Sequence, residues 1–353
     1  MSTVTKVDPA IPAGSAHPLD QRRPLGDRGF AIIALASGLL VLVILLLIAI
    51  TTTNQAWSWF TTEGWGIFGK TWDPSKNQYG ALSFIYGTAV TALIAIIIAV
   101  PVSLGIALLL TEVVPFQWAR PIVYVVDLLA VVPSVVWGLW GILVFAPWLQ
   151  HIYTSIASGV KGIPVLENLF GGANVSGASF FTAGIILAFM ITPIVTSLAR
   201  EVIATTPSID KQGAYALGAT RWEMINGVVR PHSQSGFVGA VLLGLGRAMG
   251  ETIAAALVIG SSATITSHLF YPGYNMPAVI ANQFGEATGI QRAALMGLGV
   301  LLFAITIIVN VIARGAVERS ARRARGTRWQ SRPNLSRPAS ASRRPGGAPR
   351  TSS

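Results

Sequence analysis

The sequence predicts an all-α, polytopic membrane protein with six transmembrane helices. Its 353 residues are 52% hydrophobic and only 11% charged, with a mean hydropathy of +0.60. That composition is too apolar for a soluble domain of this length. The chain has no cysteine, and its four histidines are scattered without ligand spacing. We therefore expect no disulfide and no bound metal.

Six stretches are long and apolar enough to cross a hydrocarbon core, which needs about 20 helical residues. The second and third each contain an internal proline, Pro101 and Pro133, and are expected to tilt or kink. The first is interpreted as an uncleaved anchor, because its apolar run exceeds that of a signal peptide. The predicted spans are residues 30–52, 82–110, 121–149, 180–198, 237–260 and 293–312.

The distribution of basic residues predicts the orientation. Most of the 25 lysines and arginines fall on one side of the predicted membrane, whereas only Lys70, Lys76 and Lys161 fall on the other. Because basic loops stay in the cytoplasm, both termini are expected there.

Three segments follow from this arrangement. Residues 1–29 are expected to form a disordered cytoplasmic N-terminus, residues 30–313 the transmembrane domain, and residues 314–353 a basic, disordered cytoplasmic tail. Most of the net charge of +11 lies in that tail. It is expected to fix topology and to attract anionic lipid headgroups rather than nucleic acid.

Two opposite charges, Arg247 and Glu251, lie one helical turn apart in the fifth predicted span. An ionised group inside a membrane is costly, so it faces protein or water and marks a pathway by default. If the membrane begins near Ser235, Arg247 is roughly 18 Å in at 1.5 Å per residue, near the midplane where transport sites occur. The alternative is that the pair only neutralises itself and locks helix packing.

Other residues of the membrane domain extend this candidate pathway. Thr252 follows Glu251 directly, and Asp127 in the third span is either a gate partner for an arginine of a partner subunit or a helix-end counter-charge. Small residues at four-residue spacing would let a neighbouring helix approach closely, which predicts a seam between subunits. They form two rows, Gly236, Ala240, Gly244 and Ala248, and Gly246 with Gly250.

The loop between the fourth and fifth spans, residues 205–231, predicts a compact helix-turn-helix. Pro207 and Ser208 open a helix, and Gly218 marks a turn. Its apolar stripe either rests on the headgroups or forms a docking surface with aromatic and charged anchors. The candidate docking residues are Gln212, Ala214, Gly218, Ala219, Thr220, Arg221, Trp222, Glu223 and Pro231.

At these positions the chain resembles a known family. Ala214, Gly218 and Pro231 match the EAA loop of ABC-importer permeases, E-A-A-x3-G-x9-I-x-L-P, although Gln212 replaces its glutamate. The stretches VVPSVVWGLWG, GLGRAMGETI and AVIANQFGEA resemble the permeases of phosphate importers, and the PstC-type subunit more than its PstA-type partner. The resemblance covers about residues 30–319.

The resemblance implies a MetI-like core of five helices plus an N-terminal helix, in a bacterial plasma (inner) membrane. It also implies three protein partners: a second, PstA-type permease, a dimer of PstB-type ATPase subunits and an external PstS-type phosphate-binding protein. ATP would be bound and hydrolysed on the partners, so the chain is expected to be no enzyme and to bind no cofactor itself. Arg247 would meet phosphate, and Glu251 would accept a hydrogen bond from the protonated anion while repelling sulfate.

Two other functions stay open. One is an ABC permease for another oxyanion, and the other is a proton-coupled secondary anion transporter with Glu251 and Asp127 as proton carriers. An intramembrane enzyme would need a nucleophile and base, which the sequence does not bring together. The segment GWGIFGKT at residues 64–71 matches the P-loop pattern, but it lacks the preceding strand and following helix that phosphate binding requires.

Overall fold

The structure, a computed structural model, describes the backbone of residues 25–330 and the side chains of residues 29–315. The described chain divides into two compact units, with the boundary between Asn54 and Gln55. The prediction of an all-α membrane protein is confirmed. Among the described residues, five helical stretches are long and apolar enough to cross a membrane: Gly29–Phe68, Leu82–Val113, Ser134–Gly159, Phe180–Ala204 and Gly289–Gly315.

The first unit contains most of α1 (Leu25–Glu63). Large apolar side chains are exposed all along this part of the helix, as at Phe30 and Leu42. A helix that is apolar on every side is suited to lipid rather than water. α1 begins five residues before the predicted span, and residues 1–24 of the predicted N-terminal segment lie outside the described residues.

The second unit holds the other helices and a small hairpin. A 3₁₀ turn at Gly64–Phe68 follows α1 and leads to β1 (Trp72–Asp73) and β2 (Gln78–Tyr79), which pair antiparallel. We call this end of the unit the hairpin end. The helices are α2 (Leu82–Leu108), α3 (Phe116–Val131), α4 (Ser134–Trp140), α5 (Ala146–Gly159), α6 (Pro164–Phe170), α7 (Phe180–Ala204), α8 (Ser208–Ala216), α9 (Arg221–Met224), α10 (Arg230–Gly250), α11 (Ile253–Val258), α12 (Met276–Gln283) and α13 (Gly289–Gln330).

Three π-helical turns extend or join these helices. Leu109–Val113 continues α2, Gly141–Phe145 joins α4 to α5, and Ile225–Val229 joins α9 to α10. Helix α7 lies at the centre of the unit and packs against both α2 and α10. The end that carries α8 and α9 is called the loop end.

The third predicted span, residues 121–149, is wrong as a single helix. α3 ends at Val131, and Val132 adopts φ −59° and ψ 124° before Pro133. Proline has no N–H to donate, and its ring pushes the preceding residue out of the helical region, so the helix restarts only at Ser134. Pro101, by contrast, lies inside α2 without ending it.

The fifth predicted span, residues 237–260, is also interrupted. α10 ends at Gly250, Glu251 has extended backbone with φ −70° and ψ 123°, and α11 starts at Ile253. Glycine and threonine are poor helix formers, which weakens the helix where its polar residues fall. The fifth predicted span is therefore a discontinuous helix, and it is not among the five stretches of the described chain that are long and apolar enough to cross a membrane.

The last helix is longer than predicted. α13 begins at Gly289 and continues past residue 313 to Gln330. The alanines and arginines beyond Arg314 are good helix formers, and extending an existing helix costs much less than starting one. The remaining residues of the predicted tail, 331–353, lie outside the described part of the chain.

Candidate functional site

Helix α10 has two different faces. On one face a Cβ added to Gly236 would stand 2.4 Å from Val202 Cγ1, and one added to Gly244 would stand 2.6 Å from Val195 Cγ2. Both valines belong to α7. This row of small residues therefore packs inside the chain, and its assignment to a seam between subunits is wrong. The absence of side chains lets the two helices approach closely, as predicted.

The other face of α10 borders an open cavity. A Cβ added to Gly239, Gly246 or Gly250 would meet nothing within 4 Å. The cavity has a volume of about 1080 Å³ and lies between residues 194–202 of α7, 236–247 of α10 and 303–314 of α13. We call it the arginine groove, because Arg247 lines it.

The predicted ion pair between Arg247 and Glu251 is absent. The helix ends at Gly250, so the two residues no longer lie one helical turn apart. Arg247 is exposed to the groove, and no carboxylate of residues 29–315 comes within 4.0 Å of its guanidinium. Glu251 is half-buried in the break, beside Thr252, whose hydroxyl donates to the carbonyl of Gly250 at 3.2 Å.

The two helix breaks lie at the same level. A Cβ on Gly138 would meet Ala254 and Leu257, and one on Gly141 would meet Val258 at 2.7 Å. The later residue of α4 thus meets the later residue of α11, so the two helices run parallel. Both start just after a break, which places the two breaks side by side. Discontinuous helices of this kind line the central sites of many transporters. Averaging hydropathy along the sequence does not detect these breaks, although Pro133 and Gly250 are residue types that often end a helix.

Asp127 lies on α3 and faces α7 rather than the arginine groove. Its Oδ2 is 4.0 Å from Arg200 Nη2, and its side chain is half exposed. This contact favours the counter-charge alternative over the gate alternative. Asp127 does not line the groove with Arg247.

The loop at residues 205–231 folds into the predicted helix-turn-helix, formed by α8 and α9. Gly218 has φ +83°, a conformation that favours glycine, and turns the chain between them. The Thr220 hydroxyl accepts from the Glu223 N–H, and the Glu223 carboxylate accepts from the Thr220 N–H at 2.8 Å. Hydrogen bonds from the backbone and then the hydroxyl of Thr220 lower the pKa of Glu223.

An ion pair that the sequence reasoning missed anchors α8. Lys211 Nζ lies 2.5 Å from Glu112 Oε1, and the Glu112 side chain is only 7% exposed. Glu112 belongs to the π-helical turn after α2, so the pair joins the loop to that helix. Its one signal was a carboxylate at the end of an apolar span, on the same predicted side as Lys211.

The apolar stripe of the loop divides between two surfaces. Ala214 and Ile225 pack inward against the ends of α2 and α7. Three large side chains point outward instead: Leu217 is 91% exposed, Ile209 74% and Trp222 67%. Together with Tyr215, these outward residues form the docking patch, and an exposed apolar cluster of this kind indicates an interaction surface.

The chain matches a family model over residues 81–326, described as a binding-protein-dependent transport system inner membrane component. The chain belongs to this family. It is 44% identical to the phosphate transport system permease protein PstC of Haemophilus influenzae over 78% of this chain and 88% of that protein. It is 42% identical to the PstC protein of Mesorhizobium japonicum over 89% of this chain and 96% of that protein.

The fold agrees with this assignment. A crystal structure of a bacterial alginate ABC transporter, in complex with an alginate pentasaccharide-bound periplasmic protein, contains a chain with a TM-score of 0.55 at 13% identity. The likeness covers 85% of this chain and 99% of that chain, and it concerns the fold alone. The chain is thus a multi-pass membrane component of a transport system, with α1 outside the family match.

Proposed function

We propose that the chain is the transmembrane permease subunit of an ATP-driven importer of inorganic phosphate in a bacterial plasma membrane. The observation that carries the proposal is Arg247, a cation exposed in a groove within the permease core. Relatives at 42–44% identity are named phosphate transport system permeases. In this proposal the loop end faces the cytoplasm, as the basic residues predict.

Arg247 and Glu251 divide the recognition of the anion. A guanidinium stays charged and offers forked donors that suit phosphate oxygens. Because no described carboxylate neutralises Arg247, its charge is available to the anion. Glu251, half-buried at the break, accepts a hydrogen bond from a protonated phosphate, whereas it repels sulfate, which carries no proton at neutral pH.

Movement reaches this site through a continuous helical element. α9, the π-helical turn and α10 run without interruption from Arg221 to Gly250, a rise of about 45 Å at 1.5 Å per residue. A PstB-type ATPase dimer binds the docking patch, and its ATP cycle moves that element and alternates access to Arg247. A PstA-type permease completes the pathway, and a PstS-type binding protein delivers phosphate at the hairpin end.

Uptake by the purified complex in proteoliposomes tests the proposal. Arg247→Gln keeps the side chain polar but removes the charge, so ATP-dependent phosphate uptake should fall by about tenfold to a hundredfold, the loss of one charged hydrogen-bonding group. The control is Arg292→Gln, which removes the same charge outside the arginine groove. Arg292 lies at the start of α13, over the Phe284 ring. Both variants should still co-purify with the ATPase and the second permease.

Three results would overturn the proposal in different ways. Normal phosphate uptake by Arg247→Gln would remove Arg247 from the path. Uptake that continues without ATP would indicate a secondary transporter, and sulfate that is transported or competes equally would indicate a permease for another oxyanion.

A further inference from the structure

The arginine groove extends well beyond Arg247. It follows α10 from residue 247 back to residue 236, and α13 from residue 303 forward to residue 314. Eleven residues of helix rise about 16 Å. Residues 236, 202 and 314 all belong to the loop end, so the groove connects Arg247 with that end of the molecule.

A line of polar side chains follows the groove along α13. Thr306, Asn310 and Arg314 are four residues apart and therefore share one helix face. The Thr306 hydroxyl donates to the carbonyl of Leu302 at 2.7 Å, and Asn310 Nδ2 donates to the carbonyl of Thr306 at 2.9 Å. An amide nitrogen has two hydrogens, so Asn310 retains one donor for a ligand in the groove.

The charge of the groove has one sign. Its described lining includes two arginines, Arg247 and Arg314, and no carboxylate. The rest is apolar or glycine, as at Phe303 and Gly239. An apolar wall with low dielectric concentrates the field of the two cations, which attracts an anion and repels cations.

We infer that Thr306, Asn310 and Arg314 form the release path for the transported phosphate, from Arg247 to the loop end. This inference rests on the proposed function and extends it to three residues. The anion leaves Arg247, accepts a hydrogen bond from Asn310, can donate one to the Thr306 oxygen when it is protonated, and meets Arg314 at the mouth. Weak successive contacts allow release, which one tight site would prevent.

The absence of cysteine from this chain provides a direct test. Asn310→Cys would introduce its single thiol into the groove of the assembled complex. Because the local potential is positive, a methanethiosulfonate with a sulfonate group should modify it about tenfold faster or more than one with a trimethylammonium group. Inorganic phosphate should slow this modification. The matched control is Ile308→Cys, an exposed position of α13 that does not line the groove.

A second variant checks the path without relying on a thiol. Arg314→Gln should lower the maximal rate of phosphate uptake several-fold while leaving ATPase binding intact, and Arg314→Lys should restore most of the rate because it keeps the charge. A merely structural role of Arg314 would change complex assembly instead.

The outcomes separate this inference from the proposed function. If the complex takes up phosphate but the Asn310→Cys thiol is shielded from both reagents, the groove is filled by a partner helix and the release path is wrong. Equal modification by both reagents, or no protection by phosphate, would also overturn it. If the complex takes up no phosphate at all, the proposed function itself fails.

Discussion

Helices α7 and α10 pack side by side, yet they differ in the properties that govern how a helix moves. α7 is an unbroken run of 25 residues with buried side chains on most of its surface. α10 is rich in glycine, packs against α2 and α13 as well as α7, and leaves one face open to the arginine groove. A helix buried on most of its surface is suited to act as a scaffold, whereas a helix that meets the scaffold through a row of small residues can slide along it with little repacking.

The loop at the loop end connects both kinds of element. α8 is tied to α2 by the Lys211–Glu112 ion pair, and α2 packs against α7. α9, in contrast, continues directly into α10. In the proposed mechanism, a force on the docking patch therefore acts between this support and α10, which we call the mobile helix. Three sets of variants test this division.

The largest effect is expected from the ion pair that holds α8 to the scaffold. Breaking a buried pair by reversing one charge typically costs about 3–5 kcal/mol, so Glu112→Lys should detach α8 and lower the phosphate transported per ATP hydrolysed. The charge-exchanged double variant, Glu112→Lys with Lys211→Glu, should recover much of the loss. The measurement is parallel uptake and ATPase assays on the reconstituted complex.

The hairpin provides a control for this prediction. Lys76 lies 3.5 Å from Asp73, but its side chain is 69% exposed. Exposed pairs are worth about 0–1 kcal/mol, so Lys76→Gln should leave the phosphate transported per ATP hydrolysed unchanged. If Glu112→Lys leaves coupling intact, α8 is not held by this pair and the scaffold does not include the loop.

The contact between α7 and α10 is the second test. Gly244→Ala would place a methyl group 2.6 Å from Val195, which is fully buried, whereas Gly246→Ala faces open space. Both substitutions add the same helix propensity. The first should therefore be less stable than the second by about 1–3 kcal/mol, the usual cost of overpacking.

Thermal unfolding of the two variants in detergent measures this difference directly. Equal midpoints would mean that α7 shifts to make room for the added methyl group. That result would contradict the role of α7 as a rigid scaffold.

The sequence predicted the membrane class, the helices and the docking loop, because composition and capping signals are local. The capping box is readable as Thr220 followed three residues later by Glu223. A kink was expected at Pro133, but the helix ends there and at Glu251 were not predicted. The mean hydropathy of a segment does not change when one of its residues becomes extended. The Lys211–Glu112 pair joins residues 99 positions apart, and no local pattern contains that information.

The arginine groove shows the same limit for the candidate site. Arg247 was recognisable as a charge in an apolar segment, but its partner in the sequence, Glu251, is not its partner in space. The wall opposite Arg247 comes from α13, and only the fold determines which face of α13 is presented. Without knowing that face, the sequence gives no reason to place Thr306 and Asn310 in the groove.

The smallest effect is expected where the loop enters the mobile helix. Thr220→Ala removes the cap of α9, a loss of about 1 kcal/mol, so the amides of α9 should become less protected against hydrogen exchange while those of α7 stay unchanged. The protection factor, which corrects for the intrinsic effect of pH on exchange, is the quantity to compare.

The capping box also predicts a pH dependence with a definite sign. Because hydrogen bonds from Thr220 lower the pKa of Glu223, its carboxylate stabilises the cap fully above the usual glutamate pKa. That contribution is lost as the pH falls through the lowered value. Protection of α9 should therefore decrease in acid in the natural chain and stay constant in Glu223→Gln, which keeps a neutral acceptor. If acid leaves α9 equally protected in both, the inward packing of Met224 and Ile225 alone holds the entry to α10.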